Sequence, residues 1–98
     1  MDHEVVWTAN ALCDLEAVVT AIAQANPSAA GQVGEELIQH AELLRSFPRI
    51  GPIYRRAQRP GVRHITSGSY HIFYEIADVP PVVNILHVWH GARSEPTL

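Results

Sequence analysis

The amino-acid sequence predicts an α+β fold in which a pair of helices covers one face of a small antiparallel sheet. Through residues 9–46, apolar side chains recur at three- and four-residue steps, which is the period of an amphipathic helix. From residue 62 onward, apolar and polar residues alternate between turn signals, which is the period of a half-buried strand. Helices followed by a run of strands are typical of the α+β class. The 98 residues are expected to form one domain, residues 1–98.

The first half of the chain is predicted to contain a helical hairpin. Thr8 is a suitable N-cap for a helix over residues 9–24. Asn26 and Pro27 then end this helix and begin the next, because asparagine caps helices and proline suits the first helical position. The second helix should continue to about Ser46. The apolar seams predicted to face each other are Leu12, Leu15, Val19 and Ile22 in the first helix and Ala30, Val33, Leu37, Ala41 and Leu44 in the second.

The remaining elements are a short N-terminal strand, a loop and three strands joined in a meander. Prolines and glycines interrupt regular structure through residues 49–61, so this segment is expected to be a loop. The last strand is apolar almost throughout, which indicates a central position with both faces covered. Strands are predicted at residues 3–7, 62–66, 69–77 and 82–90.

A two-residue turn at Ser67 and Gly68 would fix the register of the hairpin that it closes. His64 would then lie opposite His71, and residues that lie opposite each other share a face of the sheet. The side chains predicted to lie beneath the helices are Ile65, Tyr70, Ile72 and Tyr74. Those predicted for the opposite face are Val62, His64, Thr66, His71 and Glu75. Two histidines would therefore lie side by side on the uncovered face.

The charges are divided along the chain more sharply than the net charge of −3 suggests. Residues 1–44 carry acidic residues and no arginine, and the chain contains no lysine. All basic residues of the middle segment fall within nineteen positions that contain no acid: Arg45, Arg49, Arg55, Arg56, Arg59 and Arg63. This asymmetry indicates an anionic partner, or else arginines that neutralise the acidic helices internally. The acidity of the whole chain argues against broad, unspecific binding to nucleic acid.

The last strand ends abruptly in polar residues. His90 and Arg93 follow its apolar run at the edge of the sheet, which is a common arrangement where an anion is bound. The spacing of His87 and His90 resembles that of two zinc-binding histidines, but residues three apart on a strand point to opposite faces. No cysteine or carboxylate completes such a site, so no metal is expected.

Other classes of protein are disfavoured by composition. The apolar runs are far shorter than the ~20 residues that a membrane-spanning helix needs. The N-terminus has no basic stretch followed by a hydrophobic block, so no signal peptide is expected. Cys13 is the single cysteine, which excludes an internal disulfide and is consistent with a reducing cytosol.

Several short motifs occur in a characteristic order. They are Trp7 ahead of Ala11-x-x-Asp14-Leu15, Asn26-Pro27 ahead of Ala29-Ala30, Leu44-x-x-x-Pro48-x-x-Gly51, Val62-Arg63, Tyr70-x-Ile72-x-Tyr74, and His87-Val88-x-His90-Gly91-x-Arg93. In this order and at these spacings, over nearly the whole length, the chain resembles the RelE/ParE superfamily of toxins from bacterial type II toxin–antitoxin modules. The closing motif is more similar to the ParE side than to the RelE side.

The resemblance implies a cytoplasmic protein without a cofactor that forms a hetero-oligomer with its cognate antitoxin. One branch of the superfamily cleaves messenger RNA on the ribosome, through metal-free attack of the ribose 2′-hydroxyl on the neighbouring phosphate. That branch uses lysines, arginines and often a C-terminal tyrosine, and this sequence departs from the pattern. His64 and His71 replace basic residues, Arg93 remains as a phosphate contact, and no tyrosine follows it. If the protein is a nuclease, these three residues are its catalytic candidates.

The ParE branch acts instead by binding DNA gyrase, which requires a recognition surface rather than an acid and a base. The resemblance therefore favours a non-enzymatic inhibitor of gyrase over a ribosome-dependent nuclease. A toxin fold that retains only antitoxin binding is a third alternative. The candidates for contact with the target or the antitoxin are Arg45, Arg49, Arg55, Arg56, Arg59, Arg63, His90 and Arg93.

Overall fold

The structure, a computed structural model, is described for residues 2–91 and confirms the α+β fold. Arg93 lies outside these residues. A helical hairpin packs on one face of a four-stranded sheet. The elements are β1 (Glu4–Trp7), α1 (Ala9–Ala25), α2 (Pro27–Glu42), a short 3-10 helix (Leu43–Arg45), β2 (Arg63–Ser67), β3 (Tyr70–Asp78) and β4 (Pro81–His90).

The sheet is mixed rather than purely antiparallel. Its strand order is β1-β4-β3-β2, and β1 runs parallel to β4 while the other neighbours are antiparallel. A parallel neighbour is possible here because the helical hairpin forms the crossover between β1 and the later strands. β4 is therefore central, as its apolar sequence predicts, and β1 and β2 form the two edges.

Both predicted helix starts are confirmed by capping contacts. The Thr8 hydroxyl accepts a hydrogen bond from the backbone N–H of Ala11 at 3.3 Å, and the Asn26 side chain accepts one from Ala29 at 3.1 Å. Each contact satisfies one of the N–H groups that a helix start leaves without an internal partner. Asn26 is thus both the C-cap of α1 and the N-cap of α2.

The seam of α2 is as predicted, and that of α1 is wrong at one position, Leu12. Ala11 is fully buried, whereas Leu12 is 52% exposed. The cause is the first turn of α1, which is held against β4: Thr8 donates its backbone N–H and its hydroxyl to the carbonyl of Ile85, at 3.1 and 2.7 Å. Held in this orientation, α1 directs Ala11 to the sheet and leaves Leu12 at the surface.

The main core lies between the helices and the sheet. Its fully or almost fully buried members are Ala11, Leu37, Ala41, Leu44, Ile72, Tyr74, Val83, Ile85 and Val88. A bulge in β4, opposite Phe73 and Tyr74, shifts the alternation so that Val83, Ile85 and then Val88 can all face the helices.

The face opposite the helices, which we call the open face, is only partly open. A second cluster of Val62, Phe73 and Leu86 is buried there. It is covered by Tyr54 and Ala57 of the segment before β2, which we call the arginine loop (residues 46–62). The expectation of an uncovered face is therefore wrong for its centre, because three apolar side chains on that face need a cover.

Candidate functional site

The arginine loop is attached to the edge strand β2 by backbone and side-chain bonds. Tyr54 N–H donates to the carbonyl of Val62 at 2.7 Å, and His64 N–H donates to that of Pro52 at 3.2 Å. The guanidinium of Arg63 donates to the carbonyl of Gly51 at 2.7 Å. Part of the loop thus continues the sheet, and its arginines are presented from a fixed backbone.

Within residues 2–91, carboxylates of the same chain engage the predicted binding residues Arg45, Arg49 and Arg59. Arg45 pairs with Glu42 at 3.0 Å, and this hydrogen bond raises the pKa of the arginine. The other pairs are Arg49 with Asp78 at 3.0 Å and Arg59 with Glu75 at 3.5 Å. Internal neutralisation therefore accounts for part of the charge division. All six of these side chains keep substantial exposure, so the pairs add little to stability.

Arg55 and Arg56 are exposed at the outer part of the arginine loop, in the stretch between Tyr54 and Ala57. These two flanking residues pack against the second core cluster. Tyr54 and Ala57 are therefore turned to the sheet, and the two arginines between them are exposed.

His64 and His71 lie together on the open face, but not in the predicted register. The turn is formed by Gly68 and Ser69, so His64 pairs with Phe73 and His71 with Thr66. Gly68 is the first of the two central residues of this turn and has φ +59°. Two-residue hairpin turns of the type that has glycine at this position require a positive φ there. The slip moves each pairing by two residues, and a shift by two keeps every side chain on its predicted face.

The two imidazoles are diagonal neighbours in an aromatic cluster. Their ring centroids are 5.8 Å apart, and His64 stacks on Phe73 at 6.0 Å while Tyr54 meets it edge-on at 5.2 Å. The Nδ1 atoms of both histidines are buried and have no hydrogen-bond partner among residues 2–91. Burial lowers the pKa of His64, and the neighbouring His71 lowers it further. His64 is therefore neutral near pH 7, in a form able to accept a proton.

On the side of β4 that faces β1, the carboxylate of Asp14 bonds the backbone of β4 beyond the point where β1 ends. β1 pairs with β4 only as far as Ile85. Beyond that point Asp14 of α1 accepts hydrogen bonds from the backbone N–H of Val88 at 3.1 Å and contacts His87 Nδ1 at 2.9 Å. His87 is thus engaged in holding α1 on the sheet. Sequence reasoning missed this role of Asp14, whose signal was its place in the Ala-x-x-Asp-Leu motif.

His90 packs its ring against Tyr70, with centroids 5.1 Å apart, as expected for a residue at the strand end. The phosphate contact predicted for Arg93 falls outside the described residues. Within residues 2–91 no group of three or more histidine, cysteine or acidic side chains is arranged to hold a metal ion.

His3 and His40, which sequence analysis leaves without a role, make tertiary contacts. His3 Nε2 lies 3.1 Å from an oxygen of Asp78, and this hydrogen bond is the main reason that the pKa of Asp78 is lowered. His40 Nδ1 lies 2.6 Å from the hydroxyl of Ser67, which is buried. Both histidines connect the N-terminal half of the chain to the hairpins of the second half.

Residues 5–95 match the family model described as the ParE toxin of the type II toxin–antitoxin system, parDE. The chain belongs to the ParE toxin family. It is also 33% identical over 90 residues to Toxin RelE2 of Caulobacter vibrioides, with 92% of this chain and 97% of that protein covered. The wider RelE/ParE superfamily predicted from the motifs is thereby confirmed.

Two solved structures share the fold. One is described as the chromosomal ParDE system from P. aeruginosa; it has a TM-score of 0.76 and 19% identity, covering 90% of this chain and 95% of that one. The other is the toxin–antitoxin complex RelBE2 from Mycobacterium tuberculosis, with a TM-score of 0.66 and 26% identity, covering 92% and 99%. This ParE-family chain is thus a toxin of a type II toxin–antitoxin system. Among its described residues, no helix combines the length and the apolar character needed to cross a membrane.

Proposed function

We propose that this ParE-family toxin inhibits DNA gyrase by binding it through the arginine loop. The observation that carries the proposal is the placement of Arg55 and Arg56, which are exposed on a loop whose backbone is bonded to β2. Binding to a macromolecule is strongest where exposed anchors are presented with little conformational freedom to lose. Guanidinium groups form bidentate bonds with carboxylates and phosphates, so the loop suits acidic protein surface or DNA held by the enzyme.

Supercoiling assays with purified gyrase test this proposal. Excess toxin should stop supercoiling and leave linear, cleaved DNA. The double change Arg55→Ala with Arg56→Ala should weaken inhibition by about tenfold or more, since each lost anchoring arginine at an interface costs about 1 kcal/mol or more. Arg45→Ala is the matched control, because Arg45 lies in the 3-10 helix before the arginine loop, where its carbonyl accepts a hydrogen bond from the N–H of His3. Unimpaired supercoiling at excess wild-type toxin would reject the proposal.

Ribosome-dependent cleavage of messenger RNA is the second candidate, and the histidine pair is the observation that favours it. A neutral His64 beside His71 is an arrangement that can take up and return a proton. Arg93 would supply the cation for the phosphate charge, as in the sequence prediction. The chain's relative named RelE2 is consistent with this alternative.

Primer extension on ribosome-bound message distinguishes the two candidates. A nuclease would create new 5′ ends that disappear in His71→Ala and persist in His3→Ala, since His3 lies at the far end of β3 beside Asp78. If neither assay responds and expression of the gene harms no host, the third alternative remains, a toxin fold that only binds an antitoxin. In each case we propose a cytoplasmic protein that forms a hetero-oligomer with its antitoxin.

A further inference from the structure

The arginine-rich middle segment attracts anions less strongly than its sequence suggests. Residues 45–63 contain six arginines and no acid, but three of these guanidinium groups pair with carboxylates from outside the segment, at 3.0 to 3.5 Å. No more than three of the six positive charges are therefore left to attract an anionic partner. The whole chain, moreover, carries a net charge of −3.

This charge is small for a surface that follows the backbone of DNA. Duplex DNA carries about one negative charge per 1.7 Å of its axis, so the proteins that hold it neutralise many phosphates at once. Interfaces with DNA are accordingly much more positively charged than interfaces between proteins. The middle segment offers few cations, and a negatively charged chain is repelled by DNA at longer range.

A carboxylate on a protein surface, in contrast, needs only one guanidinium group, and the chain itself shows the geometry. Arg45 donates to the two carboxylate oxygens of Glu42 from two different nitrogens, at 3.0 and 3.3 Å. Arg49 donates to both carboxylate oxygens of Asp78, at 3.0 and 3.3 Å. Arginine forms such forked contacts, which lysine cannot reproduce, because its donors lie in a fixed plane.

The surroundings of Arg55 and Arg56 have the composition of a contact between proteins. Both arginines are exposed, and Ile53, two positions before Arg55, is 49% exposed. Tyr54 and Ala57 hold this stretch on the second core cluster. The centres of protein interfaces combine apolar surface with arginine, and arginine is frequent among the residues that carry most of the binding energy. An exposed isoleucine near two arginines on a fixed backbone matches this pattern.

We infer that Arg55 and Arg56 bind carboxylates on the protein surface of gyrase, not the DNA that the enzyme holds. This inference rests on the proposed function, because it names the chemistry that the arginine loop would recognise on that enzyme. Each guanidinium group would form a forked contact with a carboxylate. The toxin would therefore bind gyrase in the absence of DNA.

Calorimetry with full-length toxin and reconstituted gyrase tests the inference in the absence of DNA. The toxin should bind DNA-free gyrase, and a duplex DNA fragment alone should show no binding to the toxin at physiological salt. The supercoiling assay is run on the same preparations, so that inhibition and binding are measured on the same proteins.

A double lysine variant tests the forked geometry, since Arg55→Lys with Arg56→Lys keeps both charges and removes the planar donors. Its affinity for DNA-free gyrase should fall by about tenfold, the scale expected when an anchoring contact of an interface is lost. Arg45→Lys is the matched control, because Arg45 lies in the 3-10 helix outside the arginine loop; its affinity should stay within about threefold. Circular dichroism checks that both variants are folded.

The outcomes separate this inference from the proposed function. If wild-type toxin stops supercoiling but binds gyrase only when DNA is present, or binds the DNA fragment by itself, the inference is overturned and the proposed function stands. Inhibition by wild type together with an unchanged affinity of the double lysine variant has the same meaning. If wild-type toxin neither binds gyrase nor stops supercoiling, both fail.

Discussion

The phenolic oxygen of Tyr74 accepts a hydrogen bond from the backbone N–H of Gly51 at 3.0 Å, inside the protein. Tyr74 is fully buried in the centre of β3, and burial raises the pKa of its hydroxyl. Gly51 begins the part of the arginine loop that runs along β2. The contact therefore fixes the entry of the candidate target-binding loop to the main core, and it gives Gly51 of the sequence motif a structural role.

Gly51→Ala should destabilise the protein by about 1–3 kcal/mol, the usual cost of forcing extra volume into a packed site. A β-carbon at this position would overlap the carbonyl oxygen of His64 and lie 2.7 Å from the Tyr74 hydroxyl. Gly31→Ala is the control, because its β-carbon would meet no atom within 4 Å and alanine favours a helix. Urea unfolding should show opposite shifts for the two variants, and equal shifts would contradict the steric account.

Tyr74→Phe should cost about 1–3 kcal/mol, because it leaves the buried N–H of Gly51 without an acceptor while preserving the ring. The loss should appear as faster hydrogen exchange at Gly51 as well as a lower unfolding midpoint. Tyr70→Phe is a suitable comparison, since the Tyr70 ring packs on His90 and, among the described residues, no backbone N–H is bonded to its hydroxyl. A Tyr74→Phe variant as stable as wild type would show that water replaces the hydroxyl.

Asp14→Ala should destabilise the protein by about 1–3 kcal/mol by removing the acceptor of the Val88 N–H. The same change frees His87, whose ring contacts that carboxylate. The effect should be local at first, with faster amide exchange at Val88 than at Val83. Glu16→Ala, an exposed position on the same helix, should change the unfolding free energy by less than about 0.5 kcal/mol. Similar losses in both variants would contradict the proposed role.

The stability of the protein should decrease as the pH falls below about 6.5, partly through His64. Folding lowers the pKa of His64 by burial and by the adjacent His71, so the unfolded chain binds this proton more readily than the native protein. The contribution is therefore fully present above the unfolded value and is lost as the pH falls toward the lowered native value. Urea unfolding between pH 5 and pH 8, roughly the range in which histidine titrates, should show a smaller slope for His64→Gln.

Residue patterns alone predicted several features because these depend on neighbours along the chain. Capping by Thr8 and Asn26, the seam of α2 and the faces of the hairpin all follow from local preference and periodicity. The predicted faces of the hairpin are correct although the predicted turn is wrong. A register shift of two residues leaves each side chain on the same face of the sheet. The correct turn could have been predicted from the sequence, because glycine is preferred as the first central residue of such a hairpin turn, and Gly68 occupies that position.

The remaining features required the tertiary structure because they join residues that are distant in the chain. The exposure of Leu12 depends on how closely Thr8 approaches Ile85, and the role of Asp14 depends on where β1 stops pairing with β4. The sequence by itself determined the fold class, the family and the position of the two histidines on one face. Only the assembled sheet decided which arginines are neutralised by Asp78 and Glu75, since a periodic pattern carries no information about distances across the fold.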